Sequence, residues 1–167
     1  MSQSTRNPLR KIYDWTLSLA EKKSASAWLA GISFAEASFF PIPPDVLLIP
    51  LCLGALKKAL RFALICSIAS VLGGLAGYAI GAIGWESLQS HFYLYVPGFT
   101  EAKFQRITEW YIEWGWPLVF LAGFSPIPYK VFTIASGVLS MNLLPFILAS
   151  AVSRSARFFL VAILIAK

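Results

Sequence analysis

Five ionisable side chains stand inside sequence that is otherwise apolar: Glu36, Asp45, Lys130, Arg154 and Arg157. An ionised group in hydrocarbon costs about 2.5 to 3.5 kcal/mol even on permissive insertion scales, so each needs a partner and a reason to be there. Glu36 and Asp45 flank Pro41-Ile42-Pro43, Lys130 comes just after Pro126-Ile127-Pro128, and Arg154 and Arg157 share a helix face at three-residue spacing. Two carboxylates beside three cations in a dry pocket would perturb one another's protonation and could hold a proton and an anionic headgroup by turns. Glu36 and Asp45 are therefore candidate proton-binding transport residues, and Lys130, Arg154 and Arg157 candidate headgroup ligands. Simpler readings stand beside these. The three long cations could snorkel to an interface, and Asp45 could cap a helix that starts after Pro44.

Other chemistry finds no support. His91 is the only histidine, and Cys52 and Cys66 sit singly in apolar sequence, so neither a metal constellation nor a disulfide framework is expected. The serines have no neighbouring base that would make a nucleophile. The expectation is a protein without catalytic residues or cofactor, and not an enzyme. A net charge of +6 could suggest nucleic acid, but the basic residues cluster beside apolar runs, Lys22 and Lys23 before the first and Lys57, Lys58 and Arg61 after it. That is how cytoplasmic loops are marked. With 57% hydrophobic and only 13% charged residues, against about 25% charged in soluble domains, the chain reads as all-α and integral to a membrane.

The elements that must position the charges follow from where the apolar runs are broken. Residues 1–24 form a cytoplasmic lead, with an amphipathic interfacial helix predicted over 8–23. Residues 25–84 form a first unit. Its opening run is interrupted by Pro41, Pro43, Pro44 and Pro50, and the basic clusters on both sides place its two ends on one face of the membrane. The prediction is a re-entrant helical hairpin with its tip at the prolines, followed by a transmembrane helix over 62–84. In that helix Gly73, Gly77 and Gly81 recur every four residues, the spacing that lets two helix backbones approach. Residues 85–114 form an external interfacial segment with a short amphipathic helix capped by Thr100. Residues 115–167 form a second unit, broken at Pro126 and Pro128 and ending in an apolar helix from Leu143. The chain is expected to continue past Lys167, which falls within that run.

The two units repeat a pattern. Phe40-Pro41-Ile42-Pro43-Pro44-Asp45-Val46 aligns with Ser125-Pro126-Ile127-Pro128-Tyr129-Lys130-Val131, and each is followed by a glycine and a long helix. One unit starts inside and the other outside, so the repeats are predicted to be inverted with their tips meeting near the midplane.

These residues resemble the DedA family, also described by its VTT or SNARE-associated Golgi protein domain, and most of all its YqaA-like branch. Glu36, Pro41, Pro43 and Asp45 reproduce the family's glutamate, Pro-x-Pro and acid. Trp114, Gly115, Val119, Phe120, Phe124, Pro126 and Gly137 resemble its second motif. The likeness runs from about Ala27 to Arg157. Gly123 and Tyr129 stand where the family usually carries arginines, Lys130 comes one residue late, and Pro44 replaces a usual glycine. The resemblance implies two inverted re-entrant hairpins, each packed with a transmembrane helix, in a bacterial inner membrane or an organelle membrane. It also implies movement of a phospholipid or polyprenyl phosphate carrier between leaflets, in some members linked to protons. A proton-coupled transporter of a small solute and a non-transporting membrane scaffold remain as alternatives. The expected partners are membrane lipids and protons but no nucleic acid, with a homo-oligomer left open. The expected place is the bacterial inner membrane, multi-pass, with the N-terminus cytoplasmic.

Overall fold

The computed structural model describes residues 24–39, 42–95, 100–125 and 127–166. The amphipathic lead at 8–23 and the tip residues Pro41 and Pro126 lie outside the described residues. All regular structure in the described residues is helical. The order is α1 (Ala25–Ser38), α2 (Asp45–Gly54), a 3-10 turn (Leu56–Lys58), α3 (Ala59–Tyr95), α4 (Glu101–Trp114), α5 (Trp116–Phe124), α6 (Tyr129–Val138) and α7 (Leu143–Ala166).

Proline and glycine chemistry sets the breaks. The last bond of α1 runs from Phe39 N–H to the Ala35 carbonyl at 2.8 Å. Pro43 and Pro44, which have no N–H to continue a helix, follow. Pro44, held at φ −65°, then opens α2, where its carbonyl accepts from Leu48 N–H at 2.8 Å. The second break is built alike: Ser125 closes α5 through Leu121 and Pro128 precedes α6. Between α4 and α5 the chain reverses at Gly115, whose φ of +61° excludes most side chains.

Two expectations about elements need correcting. Pro50 does not interrupt its run. It lies inside α2, because an interior proline forfeits one backbone bond and a helix can continue with a kink. Nor does the helix predicted over 62–84 stop there. α3 has 37 residues, roughly 55 Å at 1.5 Å per residue against a hydrocarbon core of about 30 Å. Apolar patterning ends near Gly84, but the next helix breaker in sequence is Pro97, and a helix satisfies its own backbone whether or not its side chains are apolar.

Among the described residues, two helical stretches, Leu56–Ser87 and Leu143–Ala166, are long and apolar enough to cross a membrane. The radial distribution of side chains makes the same point. Leu60, Leu64, Ile68 and Leu72 lie in a four-residue rhythm on the outside of α3, while Lys130 and Arg154 are buried at 3% and 1% exposure. In water that arrangement is inverted; in lipid each group meets the solvent it prefers.

The packing has a duplicated form. Within each unit the first arm lies along the long helix, α1 on α3 and α5 on α7. Across units the second arm packs on the other unit's long helix, α6 on α3 and α2 on α7. Glycine sets the closeness. A Cβ on Gly73 would strike the Phe34 carbonyl, one on Gly77 the Thr133 side chain, and one on Gly81 the Ile134 carbonyl. Gly137 answers from α6, pressed on the Tyr78 carbonyl. The Gly73, Gly77 and Gly81 face thus receives α1 at one end and α6 at the other.

α4 has the predicted Thr100 cap, which accepts from Lys103 N–H at 3.4 Å. It is anchored by Phe104, stacked on Trp85 of α3 at 4.5 Å between centroids. Tyr111 of α4 donates to the Phe132 carbonyl of α6 at 3.0 Å, and burial holds its phenol well above the ordinary tyrosine range.

Candidate functional site

α7 carries the site between two apolar clusters. Phe146 and Ala149 belong to one, with Tyr129, Phe132 and Val119; Phe158 and Ala162 belong to the other, with Leu48, Leu51, Phe62 and Cys66. Ser150, Ser153, Arg154 and Arg157 fill the interval. A break in an apolar helix face, flanked by packed apolar layers, is where charge can be kept from lipid.

Arg154 is enclosed. Its Nη2 donates to Glu36 of α1 at 2.5 Å and its Nε to Ser70 Oγ of α3 at 2.6 Å. The guanidinium carbon lies 4.8 Å from the ring centroids of both Tyr129 and Phe158. Planar and weakly hydrated, a guanidinium suits such a slot between aromatic faces, where an ammonium would not fill it. Tyr129 is held in turn by Ser150, hydroxyl to hydroxyl at 2.5 Å. Lys130, next in α6, is buried at 3% exposure.

Arg157 joins the two breaks. Its Nη2 donates to Asp45 Oδ2 at 2.5 Å, at the first residue of α2, and its Nη1 to the Ser125 carbonyl at 2.9 Å, at the end of α5. One fork thus satisfies an anion at a helix N-terminus and an orphan carbonyl at a helix C-terminus, two ends that prolines left open. Unlike Arg154, this pair is reachable, with Arg157 and Asp45 side chains 21% and 20% exposed. The other carboxylate oxygen, Asp45 Oδ1, is buried with no hydrogen-bond partner among the described residues.

Four of the five charges selected from sequence therefore gather at α7, in two grades, while Lys130 is buried beside Tyr129 in α6. Arg154 is committed to Glu36, Ser70 and two rings; Arg157 and Asp45 form the accessible pair. The capping alternative for Asp45 is not what is seen. Pro44 holds the cap position, no side-chain cap bond forms, and the carboxylate turns to Arg157. Of the proposed tip residues, Pro43 and Pro128 are exposed and Pro44 is buried.

Sequence reasoning missed Ser70, Ser125, Ser150, Tyr129 and Phe158. Ser70 had a signal: Ser67, Ser70, Gly74, Gly77 and Gly81 make a continuous small or polar face on an apolar helix, and such faces look inward in membranes. The aromatic slot had none, since Tyr129 and Phe158 look like any apolar residue of their helices.

Comparison with known proteins places the chain in a family. Residues 41–167 match the family described as VTT domain. An uncharacterized protein of Haemophilus influenzae is 47% identical over 154 residues, covering 90% of this chain and 77% of its own length. An uncharacterized protein of Histophilus somni is 46% identical over 150 residues, with the same coverage of each chain. No solved structure matches.

Proposed function

We propose that this chain, which belongs to the VTT-domain (DedA) family of membrane proteins, moves an anionic lipid, a phospholipid or a polyprenyl phosphate, between leaflets of the bacterial inner membrane. The observation that carries this reading is the Arg157 bridge from Asp45 to the Ser125 carbonyl across both proline breaks. A phosphate offers a guanidinium the same paired oxygens as a carboxylate and can take the place of Asp45 on Arg157. Asp45, its Oδ1 already unpartnered, then loses its cation and is neutralised by a proton. Headgroup and proton are thereby taken up together at one site, and their binding unfastens the two breaks from each other.

The duplicated packing supports reading the arms as two inverted re-entrant hairpins, each against its own and its partner's long helix. With Lys57 and Lys58 cytoplasmic, the breaks fall within the hydrocarbon and the N-terminus lies inside. Glu36 and Arg154 serve as the fixed frame and Asp45 and Arg157 as the moving pair.

The test is leaflet accessibility of labelled phosphatidylglycerol and of a labelled polyprenyl phosphate in liposomes holding purified protein, with and without a pH gradient. Wild type should accelerate movement of at least one lipid. Asp45→Asn should abolish it, and Arg157→Gln should leave activity that more lipid partly restores. If wild type and both variants leave each lipid in its original leaflet, a scaffold role replaces transport. If protons move with a small solute instead, the solute transporter does.

A further inference from the structure

A second cationic feature lies outside the charged layer. Lys103, Arg106 and Trp110 project from one flank of α4 over a pocket of about 240 Å³ whose floor is Ile127, Pro128, Val131 and Phe132. Lys103 and Arg106 are exposed, and among the described residues neither is in an ion pair. The helix's own carboxylates, Glu101, Glu109 and Glu113, do not line the pocket. Two cations at three-residue spacing stand about 5 to 6 Å apart at their Cβ atoms, a span that phosphate oxygens bridge. Trp110 lines the pocket beside them and adds an aromatic face with a polar N–H.

We infer that this pocket binds the headgroup phosphate of an anionic phospholipid, whose acyl chain lies on the apolar floor. A free phosphate would use the cations and leave the floor wet; an anionic lipid uses both. The pocket also abuts the second break: Ile127 and Pro128 line it, while Ser125, two residues earlier, gives its carbonyl to Arg157. A lipid held there stands at the edge of the element that the Arg157 bridge fastens, so the pocket receives substrate before the charged layer does. That last role rests on the transport reading; the binding does not.

Purified protein in detergent with equal phosphatidylglycerol and phosphatidylcholine, examined by native mass spectrometry, tests the site. Wild type should retain phosphatidylglycerol selectively, and less of it as salt rises. Each cation near a membrane surface is worth severalfold in affinity, so Lys103→Gln with Arg106→Gln should lower retention by about tenfold or more. Lys57→Gln with Lys58→Gln, at the exposed 3-10 turn, should not. Millimolar inorganic phosphate should fail to displace the lipid. Unchanged retention in the folded α4 double variant, retention indifferent to salt, or displacement by free phosphate would each overturn the inference. Should the double variant misfold, Lys103→Gln alone and the wild-type salt series decide. Selective retention without translocation removes the transport reading and keeps the pocket; translocation without selective retention does the reverse.

Discussion

Glu36→Gln and Asp45→Asn remove the same charge from the same layer, yet they should differ in what they do to the fold. Arg154 is 1% exposed and Glu36 14%, and the guanidinium's remaining contacts after the change would be Ser70 and two rings. Removing one partner of a buried pair typically costs about 3 to 5 kcal/mol, and since glutamine still accepts a hydrogen bond the lower end, about 3 kcal/mol, applies. Arg157 keeps the Ser125 carbonyl and is reached by solvent or headgroups, so Asp45→Asn should cost at most about 1 kcal/mol. At about 2 to 4 °C per kcal/mol for a chain of this size, Glu36→Gln lowers the melting temperature in detergent by about 6 to 12 °C and Asp45→Asn by about 4 °C or less. Fluorescence-detected thermal unfolding reads both. Adding Arg154→Met to Glu36→Gln should return much of the loss, because an apolar side chain in that slot leaves no stranded charge. Equal, small shifts for the two single variants would refute the division into a fixed and a moving pair, and a double variant worse than Glu36→Gln would refute the account of why the fixed pair matters.

The glycines should sort by what a methyl group would meet. Gly137→Ala drives a Cβ into the Tyr78 carbonyl and near Ala82 N and should cut the yield of folded protein, whereas Gly31→Ala meets nothing within 4 Å and should be neutral or stabilising by about 0.5 to 1 kcal/mol. Detergent size-exclusion profiles compare them. The larger Gly77→Leu, against Thr133, should part α3 from α6 and lose folded protein too; normal folding with lost transport would make that face functional rather than structural. Tyr129→Phe keeps the ring over Arg154 but strands Ser150 and should cost about 1 kcal/mol. Tyr129→Leu loses the cation–π contact as well and should cost about 1 to 2 kcal/mol more, read in the same unfolding assay. For topology, single cysteines replacing Lys23 and Lys57 should label from the cytoplasmic side and one replacing Glu101 from the other. Native Cys52 and Cys66, both 0% exposed, give little background. Labelling of positions 23 and 57 from opposite sides would end the re-entrant reading.

What the chain declares by itself is local. Proline lacks an N–H wherever it occurs, so breaks near residues 39–44 and 125–128 were legible without neighbours, as were the Thr100 cap and the apolar length of the last helix. Five charges in apolar sequence announced a polar layer, since no solvation by lipid could explain them. Glycines at 73, 77 and 81 announced a close helix contact, though not with whom. Partner choice is a tertiary matter. Glu36 meets Arg154 across 118 residues and Asp45 meets Arg157 across 112, and nothing in either segment encodes the other. The pairing exists because α1 lies along α3 and α2 against α7, which brings one carboxylate to each guanidinium of a three-residue pair. Burial separated the two pairs as well. Both read as one acid and one arginine, and only the rings of Tyr129 and Phe158 closing over Arg154 made one pair a fastening and left the other open. Side-chain type sets what a group can do, but its access to solvent is a property of every helix that packs around it.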